Sequence, residues 1–149
     1  MIGIIDYGMG NLGSVMNACR FLEMDARIIT RKSEMNKCRA VLLPGVGAFG
    51  DCMGHLVKHD FAGAIRNWSE AGKPLMGICL GLQALFDSSE ETPGVEGLGI
   101  FAGTVKRFDL PKELKIPQIG WNRINEVQPG CPMFDGIDNS SFFYLVHSY

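Results

Sequence analysis

The sequence has no Cys-x-x-Cys spacing, no long uninterrupted apolar run and no surplus of either charge. Its five cysteines, Cys19, Cys38, Cys52, Cys79 and Cys131, form an odd and scattered set. That excludes a disulfide framework or a zinc site of paired cysteines and fits a reducing compartment. No segment is long enough to span a bilayer, and Met1-Ile2-Gly3-Ile4-Ile5-Asp6 reaches a carboxylate too soon for the apolar region of a secretory signal. A soluble, cytoplasmic protein is therefore expected. Fourteen basic residues against sixteen acidic ones give a formal net charge of -2. Neither sign is gathered into a run, so nucleic acid and membrane surfaces are poor electrostatic partners.

What is present is apolar and rich in turns. With 149 residues and 46% hydrophobic content, the chain suffices for one domain spanning residues 1–149. Its 19 glycines point to tight turns rather than disorder. Short apolar runs at Ile2 to Ile5, Ala26 to Thr30, Ala40 to Leu43 and Leu75 to Ile78 each end in a glycine or polar turn, as buried parallel strands do. Leu12, Val15, Met16, Cys19 and Leu22 share one helical face behind a capping Asn11. Phe49, Met53, Leu56 and Val57, then Phe61, Ala64, Ile65 and Trp68, give two further helical stretches. The crossover rule makes this an α/β fold, with a mostly parallel central sheet and helices on both faces. Beyond Pro93, shorter strands at Thr104 to Phe108, Asn122 to Val127 and Phe142 to Val146 predict an antiparallel extension. The chain stops at His147-Ser148-Tyr149 directly after an apolar run, so a domain incomplete at its C-terminus is expected.

The chemistry concentrates at Leu75-Met76-Gly77-Ile78-Cys79-Leu80-Gly81. A strand feeds a sharp turn and then a helical pattern, with glycines two residues either side of a cysteine, which is the thiol form of a nucleophile elbow. The turn thrusts the thiol out of the strand end, and a helix N-terminus behind it favours a thiolate. Cys79 is thus the candidate nucleophile. A second loop, Pro44-Gly45-Val46-Gly47, follows a buried strand to the same sheet edge, where its N–H groups can join that of Leu80 in an oxyanion hole.

Three rival signals stand beside this motif. Gly8-Met9-Gly10-Asn11-Leu12-Gly13 satisfies a dinucleotide fingerprint, but Thr30-Arg31-Lys32 stands where the ribose-binding acid belongs, leaving a 2′-phosphate as the only version that suits. His55 and His59 have the i, i+4 spacing of a metal pair, yet Leu56 replaces the zincin glutamate, so a solvated helix face is expected and no metal is assigned. His147 closes a buried strand and is a candidate base for Cys79, or else a structural histidine.

Five segments together resemble the class I (triad) glutamine amidotransferases, in particular the branch that serves histidine biosynthesis. They are Asp6-Tyr7-Gly8-Met9-Gly10-Asn11, Pro44-Gly45-Val46-Gly47-Ala48-Phe49-Gly50, Gly77-Ile78-Cys79-Leu80-Gly81-Leu82-Gln83, Pro117-Gln118-Ile119-Gly120-Trp121-Asn122 and Phe143-Tyr144-Leu145-Val146-His147-Ser148-Tyr149. The resemblance implies that Cys79 attacks the side-chain amide of glutamine, through a glutamyl thioester, with Val46, Gly47 and Leu80 at the oxyanion. It implies that Gly45, Gln83, His147, Ser148 and Tyr149 hold the substrate, which moves His147 from base to pocket wall. It also implies a heterodimer with a cyclase of (β/α)8 type that receives the ammonia, met by the Trp121-Asn122 turn and Tyr144. No cofactor is implied.

One departure matters. The family's triad histidine and glutamate come from a His-Pro-Glu element, and no such tripeptide occurs in these 149 residues. A chain of these residues alone is therefore expected to be inactive or nearly so, with a non-catalytic binding or scaffold role of the same fold as the alternative. Open sheet edge is expected to favour self-association.

Overall fold

The apolar tetrad Ile2-Gly3-Ile4-Ile5 forms β1, buried on both faces. Around it, β2 (Ala26–Ile29), β3 (Ala40–Gly45) and β4 (Leu75–Cys79) complete a four-stranded parallel sheet in the order β2-β1-β3-β4. This computed structural model describes residues 1–124, 130–138 and 140–149. By contact the chain divides into two compact units, Met1–Lys106 and Arg107–Tyr149.

In the first unit, α1 (Leu12–Phe21) is capped by Asn11, whose side-chain oxygen accepts the Ser14 N–H at 3.0 Å, and packs along β1 and β2. Helices α2 (Phe49–Lys58) and α3 (Phe61–Glu70) cross from β3 to β4. Right-handed crossovers put α1 on one face of the sheet and α2 and α3 on the other. On the latter face Ile5, Ile29, Val41 and Leu43 join Phe49, Leu56, Phe61, Ile65 and Trp68 in one buried cluster. The α1 face is less covered: Leu42 and Ile78 are half-buried, while Met76 and Ile28 are exposed. Leu22, expected on the inner stripe of α1, is exposed instead because the helix ends at Phe21 and Leu22 already belongs to the cap.

The elbow helix is shorter than its sequence pattern. Only Leu80–Gln83 forms α4, a single turn, after which the chain extends into β5 (Phe86–Ser89). β5 pairs in parallel with β6 (Phe101–Val105), so the strand expected from Thr104 begins three residues earlier. One turn carries little macrodipole, and the elbow therefore offers individual N–H groups rather than the field of a long helix.

The second unit is built on β7 (Gln118–Arg123) and β8 (Phe142–His147), an antiparallel pair. Among the described residues these strands pair only with each other. The Trp121-Asn122 segment, expected as a turn, lies inside β7; residues 125–127 of the expected Asn122 to Val127 strand lie outside the described residues. Alternation along the ribbon puts Ile119, Trp121, Phe142, Tyr144 and Val146 on one exposed face.

Candidate active site

Register brings the two glycine loops together. Strands β3 and β4 pair so that Gly45 lies opposite Cys79. Cys79 has φ 55° and ψ -119°, a conformation L residues rarely adopt, and its side chain is exposed. Such strain persists only where surrounding structure enforces it, and it is the signature of a nucleophile elbow.

The enforcement is steric. A Cβ at Gly45 would stand 2.6 Å from the Gly81 nitrogen, one at Gly77 would stand 2.5 Å from the Leu82 nitrogen, and one at Gly81 would collide with the Leu43 carbonyl oxygen. Both glycines of the Gly-x-Cys-x-Gly motif thus serve close approach: the turn of α4 is pressed against the end of β3. Val46 and Gly47 follow as exposed loop residues, Gly47 at φ 104°. Leu80 opens α4, where a backbone N–H has no partner within the helix. Gln83, four residues after Cys79, closes the same turn.

The first glycine loop supports this arrangement. A Cβ at Gly10 would press on Pro44 at 3.3 Å, and the Met9 side chain reaches Gly47. Tyr7 is fully buried and donates its hydroxyl to the Pro44 carbonyl at 2.8 Å, with the Cys52 thiol 3.3 Å away. Burial raises the Tyr7 hydroxyl far above the ordinary phenol range, so it stays a donor. Gly10 is thus accounted for by its packing against Pro44, whereas a Cβ at Gly8 would meet His55 Nδ1 at 3.0 Å. At the end of β2, the Thr30 and Arg31 N–H groups both donate to Glu34 Oε2 at 3.0 Å.

His55 is more than a solvated helix residue, since its Nδ1–H donates to the Tyr7 carbonyl at 3.1 Å while its ring stacks on His59 at 6.1 Å. Among the described residues no three groups gather in a metal-binding cluster. His147 belongs to the second unit, where Nδ1–H donates to the Tyr149 carbonyl at 2.8 Å and the ring lies 4.8 Å from that of Phe108. Ser148 accepts the Phe108 N–H. Trp121 and Tyr144 are direct cross-strand partners, their rings 5.5 Å apart, with Trp121 66% exposed. Asn122 falls on the opposite face of the ribbon from them.

Two residues absent from the sequence reading stand beside this site. The Phe49 N–H donates to Glu91 Oε2 at 2.8 Å, and the Gly50 N–H to Thr92 Oγ1 at 3.1 Å. The signal was Ala48: a helix starting without a side-chain cap must find acceptors elsewhere.

A cysteine on a strained strand-to-helix turn beside a glycine loop is the arrangement of the class-I glutamine amidotransferases. The family model of that description, "Glutamine amidotransferase class-I", matches residues 4–149, and the chain belongs to this family. Within it, the chain is 48% identical over 149 residues to the imidazole glycerol phosphate synthase subunit HisH of Caldanaerobacter subterraneus subsp. tengcongensis, covering all of this chain and 72% of that protein. It is 47% identical over 148 residues to the HisH subunit of Moorella thermoacetica, covering 99% of this chain and 69% of that one. A solved glutamine amidotransferase superposes with a TM-score of 0.65 at 19% identity, over 83% of this chain and 62% of its own length, which shows the shared fold. Among the described residues no helix is long and apolar enough to cross a membrane.

Proposed function

We propose that the chain carries the nucleophile half of the glutaminase site of an imidazole glycerol phosphate synthase, and that the two compact units together make up one amidotransferase domain. The family match running through both units supports the second point. The observation that carries the first is the abutment of Gly45 and Cys79, with Cys79 in its strained conformation.

Cys79 Sγ attacks the side-chain amide carbon of glutamine, and the carbonyl oxygen gains negative charge. By resemblance, the N–H groups of Val46 or Gly47 and of Leu80 receive that charge. The carbon–nitrogen bond then breaks, with a proton passing to the departing ammonia, and water cleaves the glutamyl thioester to glutamate. By resemblance, glutamine is held by Gly45, Gln83, His147, Ser148 and Tyr149. The (β/α)8 cyclase that takes up the ammonia would dock on the ribbon at Trp121 and Tyr144, whose exposed aromatic faces suit a hot spot; Asn122 is assigned to the same interface by resemblance.

The 149 residues hold no His-Pro-Glu. A polypeptide of these residues alone lacks the general acid-base contribution, roughly 10² to 10⁴-fold in rate. Incubating it with glutamine, with and without the cyclase, and measuring glutamate tests this. Little or no turnover is expected; rapid turnover abolished by Cys79→Ser would overturn the inactivity and return His147 to the role of base. A binding or scaffold role is the second reading, favoured by the apolar ribbon face, and it predicts tight cyclase binding by Cys79→Ser and the parent chain alike. Among the described residues β4 pairs on one side only. We therefore also expect self-association through that edge, and a strictly monomeric chain in sedimentation would count against it.

A further inference from the structure

We propose that His55 and His59 form a two-point site for a borderline divalent metal ion, zinc first among them, at the C-terminal end of α2. The inference stands on this helix and its neighbouring loop, and does not depend on the glutaminase reading.

Helical spacing brings the two rings together. Residues four apart share one face of a helix, and α2 runs Phe49–Lys58 with His59 as its C-cap. The ring centroids lie 6.1 Å apart and the planes only 20° from parallel. His55 is half-buried and His59 exposed. Leu56 stands where a zincin carries its glutamate, which removes the base for metal-assisted hydrolysis and leaves the paired imidazoles.

His55 already has the outer partner that a metal-bound imidazole uses. Its Nδ1–H donates to the Tyr7 carbonyl at 3.1 Å, which fixes the tautomer and leaves Nε2 with its lone pair. Among the described residues the His59 ring nitrogens take no hydrogen bond. Gly8 makes room for both rings: a Cβ there would stand 3.0 Å from His55 Nδ1 and 3.8 Å from His59 Nε2.

The place also suits a cation. The end of a ten-residue helix carries the negative pole of its dipole and carbonyls without partners in the helix. Asp60 follows directly, its Oδ2 3.5 Å from Lys32 Nζ. Neutral imidazole selects zinc, nickel and copper over magnesium and calcium, which take oxygen ligands. Among the described residues no third metal-binding side chain joins the pair, so water completes the coordination and the ion exchanges readily. An ion there ties the end of α2 to the Tyr7-Gly8 segment through His55.

The test titrates zinc chloride into the 149-residue chain with its cysteines reduced, following the ring signals of its three histidines by nitrogen-15 NMR. His55 and His59 are expected to shift along one common saturation curve while His147 stays still. His59→Gln keeps the His55 contact to Tyr7 and should weaken zinc binding about tenfold or more, because a one-point contact loses the gain in effective concentration. Adding Val57→His, at an exposed position, to His59→Gln keeps the number of histidines but sets the pair two residues apart, on different faces, and should not restore affinity. A shift of only one of the two rings would overturn the proposal, as would unaltered affinity in His59→Gln or full affinity in the Val57→His variant. Zinc taken up by the thiols with both rings unmoved, or no uptake at all, would overturn it too.

Discussion

The two units differ in where their apolar residues go. In Met1–Lys106 they turn inward: every fully buried hydrophobic residue among those described lies between Ile2 and Leu98. In Arg107–Tyr149 they stand outward along the ribbon, as Ile119, Trp121, Phe142, Tyr144 and Val146. The first unit spends its hydrophobicity on a core that can enforce strain at Cys79. The second presents its hydrophobicity, and a two-stranded ribbon with an open apolar face needs a covering surface for its own stability. Scaffold and proposed docking surface are thus separated along the chain.

The largest expected effect lies in the first unit. In Gly81→Ala the added methyl meets the Leu43 carbonyl, and backbone on both sides resists movement. A loss of about 3 kcal/mol or more is expected in urea unfolding, a large part of a small domain's stability. A wild-type midpoint would show that the elbow is not pressed on β3.

Matched truncations sharpen the contrast. Leu43→Ala should cost about 2 to 5 kcal/mol of stability, because Leu43 is fully buried in the core cluster. Trp121→Ala should change stability by only about 0.5 kcal/mol, yet weaken cyclase binding by about 2 kcal/mol, near thirtyfold. Titration calorimetry with the cyclase would read the second quantity. Unaltered binding would remove the ribbon's docking role.

The smallest effect concerns pH. Burial raises both the Tyr7 hydroxyl and the Cys52 thiol, so the folded chain keeps two protons that the unfolded chain releases. The folded state then binds more protons, and stability must fall as pH rises. The loss begins near the ordinary thiol value of about 8.5 and continues past the phenol value of about 10. Cys52→Ala should flatten the first part of that slope in pH-dependent unfolding. An unchanged slope would assign it to other groups.

Much of this was legible in the sequence because burial leaves a plain mark. The four central strands appeared as apolar runs, although only β1 is buried along its whole length, and Asn11 announced α1 because its cap is local. Cys79 stood out because its glycines answer a steric demand within one short motif. β5 was missed since Phe86-Asp87-Ser88-Ser89 carries no apolar alternation, and that strand cut α4 to a single turn. Glu91 and Thr92 were missed because their partners lie 42 residues away, beyond any periodicity. The packing of Gly10 against Pro44 was hidden for the same reason, since that contact too is long-range.

The most direct test of Cys79 as the glutamine-attacking nucleophile is the mass and peptide map of the chain after treatment with a γ-chloroketone analogue of glutamine, with and without excess glutamine. A single adduct on Cys79, suppressed by glutamine, is the expected result. Labelling spread over Cys38 and Cys131, or labelling of Cys79 that glutamine does not slow, would contradict it.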